Sequence, residues 1–170
     1  MESNRYLALA IELAVDARDF EKALLLAGRN EGPRLLSEWW DQKKIGKGEV
    51  VALLADVWSS VEWPSRHLRM RDWIAFFRVA DYPKPAEPLQ VYRGAPPPYA
   101  RGMAWSTDIE RARRFAERWT IIGRAAFVYT AVAQPDAVLA DIDALLEDGG
   151  RGEHEIVVDP SRLGRITRLR

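Results

Sequence analysis

The stretch DYPKPAEPLQVYR, residues 81–93, marks the point at which the character of the sequence changes. Its first eight residues hold three prolines, and closely spaced X-Pro units disfavour both a helix and a central strand. Its last five residues alternate in the way that is typical of a half-buried strand. We therefore predict that residues 81–88 join a first region, residues 1–80, to a β-rich region, residues 89–170.

Apolar side chains recur at helical spacing through residues 1–80, which predicts a helical region. Asp19 is the predicted N-cap of one helix and Gly28 is expected to close it, because each residue type suits that end of a helix. Five helices are expected, and the residues that mark them are Leu7 to Val15, Phe20 to Ala27, Pro33 to Trp40, Val50 to Trp58 and Leu68 to Phe77.

The second region combines strand patterns with one clear helix. β-branched and aromatic side chains predict a strand over Ala125 to Ala133, and short strands are expected over residues 154–158 and 164–170. An amphipathic pattern predicts a helix over Ile109 to Trp119, which Thr107 is expected to cap as the first residue of the capping box TDIE. The fold class is therefore α+β, with helices first and a mostly antiparallel sheet second.

The composition excludes several kinds of site. The chain has no cysteine, so it has no thiolate nucleophile, no disulfide and no cysteine-bound zinc. His67 and His154 are the only histidines and lie in different regions, so no metal site is expected. The 25 basic and 25 acidic residues give a formal net charge of +0, which disfavours strong non-specific attraction to nucleic acid or to an anionic membrane.

The N-terminus lacks the pattern of a signal peptide, because residue 2 is acidic and Glu12 and Asp16 interrupt its apolar residues. No apolar run approaches the length needed to span a membrane. We therefore expect a protein that acts in a cytoplasm, its own or that of a host cell.

Arg93 is the first candidate site residue. Side chains alternate along a strand, so Arg93 shares a face with Leu89 and Val91, and these apolar residues mark the core side. A buried guanidinium needs partners, and phosphate oxygens suit its planar fork. Gly94 is expected to end the strand and to let a ligand approach the backbone. The alternative is a structural arginine that pairs with an aspartate or with carbonyl groups.

Ser106 is the second candidate. It lies in WSTD, residues 105–108, at the corner where a strand meets the predicted helix. A hydroxyl at such a corner can reach a neighbouring strand. The alternative is an ordinary turn serine, which the position favours when it is taken by itself.

Glu153 and Glu155 form the third candidate, and a turn-rich loop of residues 148–152 precedes them. Residues i and i+2 of a strand project to one face, so the two carboxylates are expected together, with His154 on the other face. Glu155 also shares its face with Val157, which predicts partial burial. Paired carboxylates suit chemistry at an anomeric carbon, where one stabilises an oxocarbenium-like centre and the other moves a proton. The alternative is a solvated edge strand.

Taken together and in order, VYRG, WSTD and EHE resemble the R-S-E signature of mono-ADP-ribosyltransferases. That family has an arginine on an early strand, a Ser-Thr-Ser-like motif on a second strand and Gln/Glu-x-Glu on a later one. The helix after WSTD, and VVDP after the glutamates, are similar to those of bacterial and phage members. The resemblance covers roughly residues 89–159.

The resemblance implies that the second region is a split antiparallel β-sandwich around an NAD cleft. Arg93 would hold a phosphate of NAD or the ribose next to it, and Gly94 would meet the nicotinamide carboxamide. Ser106 would hydrogen-bond Glu155, which would stabilise the cation left when nicotinamide departs. Glu153 would orient or deprotonate the acceptor. The other expected residues of the NAD site are Tyr92, Tyr99 and Trp105, the last two as candidates for stacking on nicotinamide.

The activity implied is transfer of ADP-ribose from NAD to a protein acceptor, arginine by default because position 153 is glutamate, whereas a nucleic-acid acceptor is disfavoured. An NAD glycohydrolase on the same site and a non-catalytic interaction protein on this fold are the alternatives. Asp108 departs from the family pattern, since it stands where the second serine of the motif is usually found. A role as toxin, phage effector or regulator is left open by the sequence.

Overall fold

A computed structural model of the protein describes residues 2–146 and 152–169. The chain divides into two compact units, Met1–Ala80 and Asp81–Arg170, so the boundary lies at the start of the proline-rich stretch. Of the predicted loop of residues 148–152, only Gly152 falls within the described residues.

The first unit is built from helices, as predicted. Asp19 caps the second of them by accepting a hydrogen bond from the backbone of Lys22 at 3.1 Å, and Gly28 ends it. The helices are α1 (Glu2–Asp16), α2 (Phe20–Ala27), α3 (Gly32–Asp41), α4 (Lys47–Ser60), α5 (Pro64–His67) and α6 (Met70–Ala80). Periodicity does not predict α5, because a single turn is too short to show a period.

Aromatic side chains form the contact between α4 and α6. Trp58 of α4 meets Trp73 and Phe77 of α6 edge to face, with ring centroids 5.0 Å and 5.3 Å apart. Trp73 is almost completely buried and donates its indole N–H to the carbonyl oxygen of Pro64 at 3.0 Å. The tryptophans of this unit therefore act mainly as core residues.

The second unit adds a sheet, whose strands pair antiparallel throughout the described residues, so the protein is α+β. Its elements are β1 (Leu89–Ala95), a 3-10 turn (Pro97–Tyr99), β2 (Ala104–Ser106), α7 (Ile109–Ile121), β3 (Phe127–Ala133), β4 (Val138–Asp141), α8 (Ile142–Leu145), β5 (Glu155–Val158) and β6 (Thr167–Arg168). In this part of the chain the six strands form one sheet in the order β4-β5-β2-β1-β3-β6.

Both faces of β1 are covered. One face carries an apolar cluster that includes Val91, Trp105, Tyr129, Ala131, Ile156 and Val158. The helix α7 covers the other face at Gly94, where a Cβ atom would stand only 2.5 Å from the backbone nitrogen of Ala116. The prediction that Gly94 ends the strand is wrong, because β1 continues to Ala95 and needs a residue without a side chain to admit α7.

The helix α7 begins at Ile109, as predicted, but its cap differs from the prediction. Asp108 is the N-cap instead of Thr107, and its carboxylate accepts a hydrogen bond from the backbone of Glu110 at 2.8 Å. Thr107 is still tied to the sheet edge, where its N–H donates to the carbonyl oxygen of His154 at 3.1 Å. The cap therefore lies one residue later than predicted, at Asp108.

None of the helices in residues 2–146 and 152–169 combines the length and the apolar character that crossing a membrane requires.

Candidate functional site

The three candidate motifs occupy strands that are neighbours in the sheet. Tyr92 of β1 lies opposite Ser106 of β2, and Ser106 lies opposite Glu155 of β5. Residues directly opposite one another on antiparallel strands project to the same face. Because Gly94 on that face of β1 meets α7, the row of Tyr92, Ser106 and Glu155 lies on the α7 side of the sheet.

Arg93 leaves the sheet on the other face, because successive residues of a strand alternate. This is the face of Val91, as predicted. The half-buried side chain turns toward the end of the strand, where Nε donates to the carbonyl oxygen of Tyr99 at 3.0 Å and Nη1 donates to that of Ala104. Carbonyl groups therefore satisfy part of the guanidinium, which is what the structural alternative for Arg93 predicts.

The surroundings of Arg93 disfavour the positively charged form of its side chain. Burial lowers the pKa of Arg93 to about 10, while the negative charge of Glu155 acts in the opposite direction. The two residues thus interact electrostatically although their strands direct them to different faces. Carbonyl groups take two of the five N–H donors of the guanidinium, and the others make no hydrogen bond within the described residues. An anionic ligand would therefore find donors there.

Ser106 is a buried polar residue that ties β2 to the segment before β5. Its Oγ donates to the backbone carbonyl oxygen of Glu153 at 2.7 Å and accepts from the backbone N–H of Asp108 at 3.0 Å. A hydroxyl carries one proton, so Ser106 does not also donate to the carboxylate of Glu155 as the family resemblance implies. It holds the backbone that carries the two glutamates instead.

Glu153 does not share a strand face with Glu155, and that prediction is wrong. The strand β5 begins at Glu155, and His154 just before it has a left-handed backbone with φ of 49°. This conformation interrupts the alternation on which the prediction depends. Glu153 is half-buried and turns instead toward arginine side chains of α7.

His154 is held by Asp143 of α8. The backbone N–H of His154 donates to Oδ2 of Asp143 at 2.9 Å, and Nδ1 of the ring lies 3.7 Å from the same oxygen. The hydrogen bond of this carboxylate to the backbone stabilises the left-handed turn between the two glutamates. The sequence gives no signal for this partner, because eleven positions separate the two residues.

Two of the residues expected in the NAD site have structural roles. Trp105 is 2% exposed, belongs to the apolar cluster and donates its indole N–H to the carbonyl oxygen of Gly102 at 2.8 Å. It is therefore a core residue and does not stack on a ligand. The backbone of α7 packs against Gly94 where a Cβ atom would stand, so it fills the space that was expected to admit a ligand.

Tyr99 is exposed at the end of the 3-10 turn, and its ring stacks on Trp119 of α7 with a centroid distance of 5.9 Å and an angle of 17°. Its carbonyl oxygen accepts the Nε proton of Arg93. Tyr99 therefore contacts Arg93 through its carbonyl oxygen, but Trp119 already covers one face of the Tyr99 ring.

Gly102 is a site residue that sequence reasoning misses. A Cβ atom at this position would stand 2.5 Å from Cζ of Arg93, so the guanidinium lies directly over the backbone of Gly102. The glycine lies in ARGM, residues 100–103, where no neighbouring pattern reveals such a contact.

One small cavity lies beside the third motif in the described part of the chain. It has a volume of about 40 Å³ and is lined by Arg111, Arg114, Phe115 and Arg118 of α7 together with Glu153. A larger one, about 450 Å³, belongs to the helical unit, and its lining residues all come from residues 7–44. The larger cavity contains none of the predicted site residues, so its size does not connect it with their chemistry.

Comparison of the chain with protein-family models, with curated proteins and with solved structures gives no match.

Proposed function

We propose that this protein is a mono-ADP-ribosyltransferase that cleaves NAD and transfers ADP-ribose to a macromolecular acceptor. In this proposal its sheet is the core of an ADP-ribosyltransferase-like fold. The observation that carries the proposal is the alignment of Ser106 and Glu155 on adjacent strands, with Arg93 on the next strand and within electrostatic reach of Glu155. The strands that carry this arginine, serine and glutamate are neighbours in the sheet, in the order β1, β2 and β5.

The proposed reaction breaks the bond between C1′ of the nicotinamide ribose and the ring nitrogen. The electron pair of that bond leaves with nicotinamide, which becomes neutral. A lone pair of the acceptor forms the new bond to C1′, and the acceptor proton passes to Glu153 or to solvent. Glu155 stabilises the positive charge on the ribose between these events, because a carboxylate lowers the energy of an oxocarbenium-like centre.

Arg93 is proposed to bind a phosphate of NAD with the guanidinium donors that the carbonyl groups leave unused. Phosphate binding would also relieve the electrostatic cost of its burial, because a nearby negative charge favours the cationic form. Ser106 is proposed to act as a positioning residue, since its hydroxyl fixes the backbone of Glu153.

The surroundings of Glu153 do not favour arginine as the acceptor. The cavity that Glu153 lines is otherwise lined by Phe115 and three arginines of α7. A cationic acceptor would meet like charge there, and like charges at close range raise the energy of a complex. The acceptor specificity expected from a glutamate at position 153 is therefore not part of the proposal.

The experiment is incubation of the purified protein with NAD labelled in its adenine part, with and without a cell lysate. Transfer of label to macromolecules and release of nicotinamide are measured separately. Glu155→Gln should reduce both by at least about a hundredfold, because the charge that stabilises the transition state is lost. Glu87→Gln is the matched control, since Glu87 is exposed in the same unit, and it should leave both rates unchanged.

Release of nicotinamide without transfer of label would indicate an NAD glycohydrolase instead. If neither product forms, or if Glu155→Gln turns NAD over as fast as the wild type, the proposal is wrong. NAD binding is followed in parallel by thermal unfolding, because a ligand at a hundred times its Kd stabilises the folded state by about 2.7 kcal/mol.

A further inference from the structure

One side of α7 carries a set of arginines that the proposed NAD reaction does not use. Arg111, Arg114 and Arg118 lie three and four residues apart, so they share one side of the helix. Together with Phe115 they line the cavity beside Glu153. We call these four residues of α7 the arginine face.

The charges of the arginine face are only partly neutralised within the described residues. Arg113, on another side of the same helix, is paired with Glu110. By contrast, Arg114 and Arg118 are exposed and make no ion pair in the described part of the chain. Nε of Arg111 is buried without a hydrogen-bond partner there and lies 4.0 Å from Asp108, at the limit of an ion pair. Buried donors are usually satisfied, so this N–H is available to a further acceptor.

Aromatic rings alternate with these arginines along α7. The guanidinium of Arg118 lies over the ring of Phe115 at 5.2 Å. One turn further on, Trp119 stacks on the exposed Tyr99, and Arg124 lies over Trp119 at 5.8 Å. Guanidinium groups bind phosphates, and aromatic rings bind unpaired bases by stacking. Their alternation therefore matches the chemistry of a single strand, in which phosphates and bases alternate.

We propose that the arginine face binds single-stranded nucleic acid, with its arginines on successive phosphates. An acidic protein would satisfy the charges, but it would not use the rings beside them. The neutral net charge of the chain does not oppose this assignment, because binding depends on how charge is distributed over the surface. The inference is independent of the proposed NAD chemistry, since it concerns binding alone.

The test measures binding of fluorescent 12-nucleotide dT and rU strands to the purified protein by anisotropy, without NAD, from 50 to 200 mM salt. Three phosphate contacts on a single strand predict a slope of about −2 for log K against log salt. The wild-type affinity should therefore fall by about sixteenfold over this range. The variant R111Q/R114Q/R118Q should bind more weakly, and its salt slope should be close to zero.

The matched control is R66Q/R69Q/R71Q, which removes the same charge from exposed arginines of the helical unit and should bind like the wild type. If the first variant does not fold, Arg114→Gln is compared with Arg113→Gln, which lies next to it but is paired with Glu110. Only Arg114→Gln should weaken binding. Equal binding by variant and control, no binding of either strand at 50 mM salt, or tighter binding of a poly-glutamate peptide than of the strands would each overturn the inference.

Discussion

Gly102 lies directly beneath the guanidinium of Arg93, and a Cβ atom at position 102 would stand 2.5 Å from Cζ and 2.9 Å from Nε of the arginine. Real Cβ atoms do not approach other heavy atoms so closely. The absence of a side chain at position 102 is therefore what allows Arg93 to reach the carbonyl oxygens of Tyr99 and Ala104. The position of the candidate NAD-binding arginine thus depends on a residue that takes no part in the chemistry.

The substitution Gly102→Ala should destabilise the protein by about 1–3 kcal/mol, because overpacking forces the arginine or the backbone to move. It should also weaken NAD binding if Arg93 holds a phosphate. Urea unfolding and NAD titration measure the two effects. Gly164→Ala is the control, since a Cβ atom there meets nothing within 4 Å. Equal stability of the two variants would contradict the contact.

The lowered pKa of Arg93 predicts a pH dependence with a definite sign. The folded state loses this proton near pH 10, below the ordinary value, so the unfolded state binds more protons above that pH. The free energy of unfolding of the wild type should therefore rise relative to that of Arg93→Met between pH 9 and pH 11, by at most about 1.4 kcal/mol per pH unit. Other titrating groups are common to both proteins and cancel in the difference.

The same comparison made in a Glu155→Gln background tests the interaction between the two residues. Removal of the carboxylate takes away the charge that raises the pKa of Arg93, so the relative gain in stability should begin at a lower pH. If the difference in unfolding free energy between the wild type and Arg93→Met does not change with pH, burial does not lower the pKa of Arg93. An onset at the same pH in both backgrounds would show that Glu155 is too far away.

The substitution Ser106→Ala should cost about 1–3 kcal/mol of stability, because it leaves the backbone groups of Glu153 and Asp108 without their buried partner. Chemical denaturation provides the measurement. Ser59→Ala is a suitable comparison, since the Ser59 hydroxyl only donates back to its own helix at Asp56, 3.2 Å away. That variant should stay within about 0.5 kcal/mol of the wild type. Similar losses in both would contradict the bridging role of Ser106.

The cap of α7 distinguishes the structure from the prediction made on sequence alone. Asp108→Ala should cost about 1 kcal/mol, because the carboxylate satisfies a free N–H in the first turn. Thr107→Ala should cost clearly less, since the described bond of Thr107 to the sheet uses its backbone. Thermal unfolding of the two variants measures which of them loses more stability. A larger loss for Thr107→Ala than for Asp108→Ala would indicate that Thr107 is the N-cap.

Sequence reasoning succeeds where the deciding contacts are local. Asp19 and Gly28 delimit α2 because each acts on the backbone within four residues of its own position. The strand at Phe127–Ala133 follows from its β-branched and aromatic residues, which pack on a pleated surface. The fold class depends on patterns of this kind and can therefore be predicted from the sequence.

Prediction from the sequence fails where a contact with a distant element determines the local structure. Gly94 looks like the end of a strand, but α7 returns to that point from about twenty residues further on and requires the missing side chain. Glu153 looks like a strand partner of Glu155, but Asp143 holds His154 in a left-handed conformation between them. The predicted α+β class, with helices before the sheet, is therefore correct. The direction of each site side chain, in contrast, depends on contacts with distant elements, which a local sequence pattern does not reveal.

The pairing of β2 with β5 has a consequence for the order of events during synthesis. Ser106 lies opposite Glu155, so the chain must be complete to the end of β5 before β2 has a neighbour on both sides. Until then the nascent chain can pair β1 with β3, which are close in sequence, while the edge later covered by β5 stays open. The pairing of Ser106 with Glu155 thus forms late in synthesis, and a chain that ends before residue 155 has no glutamate opposite Ser106.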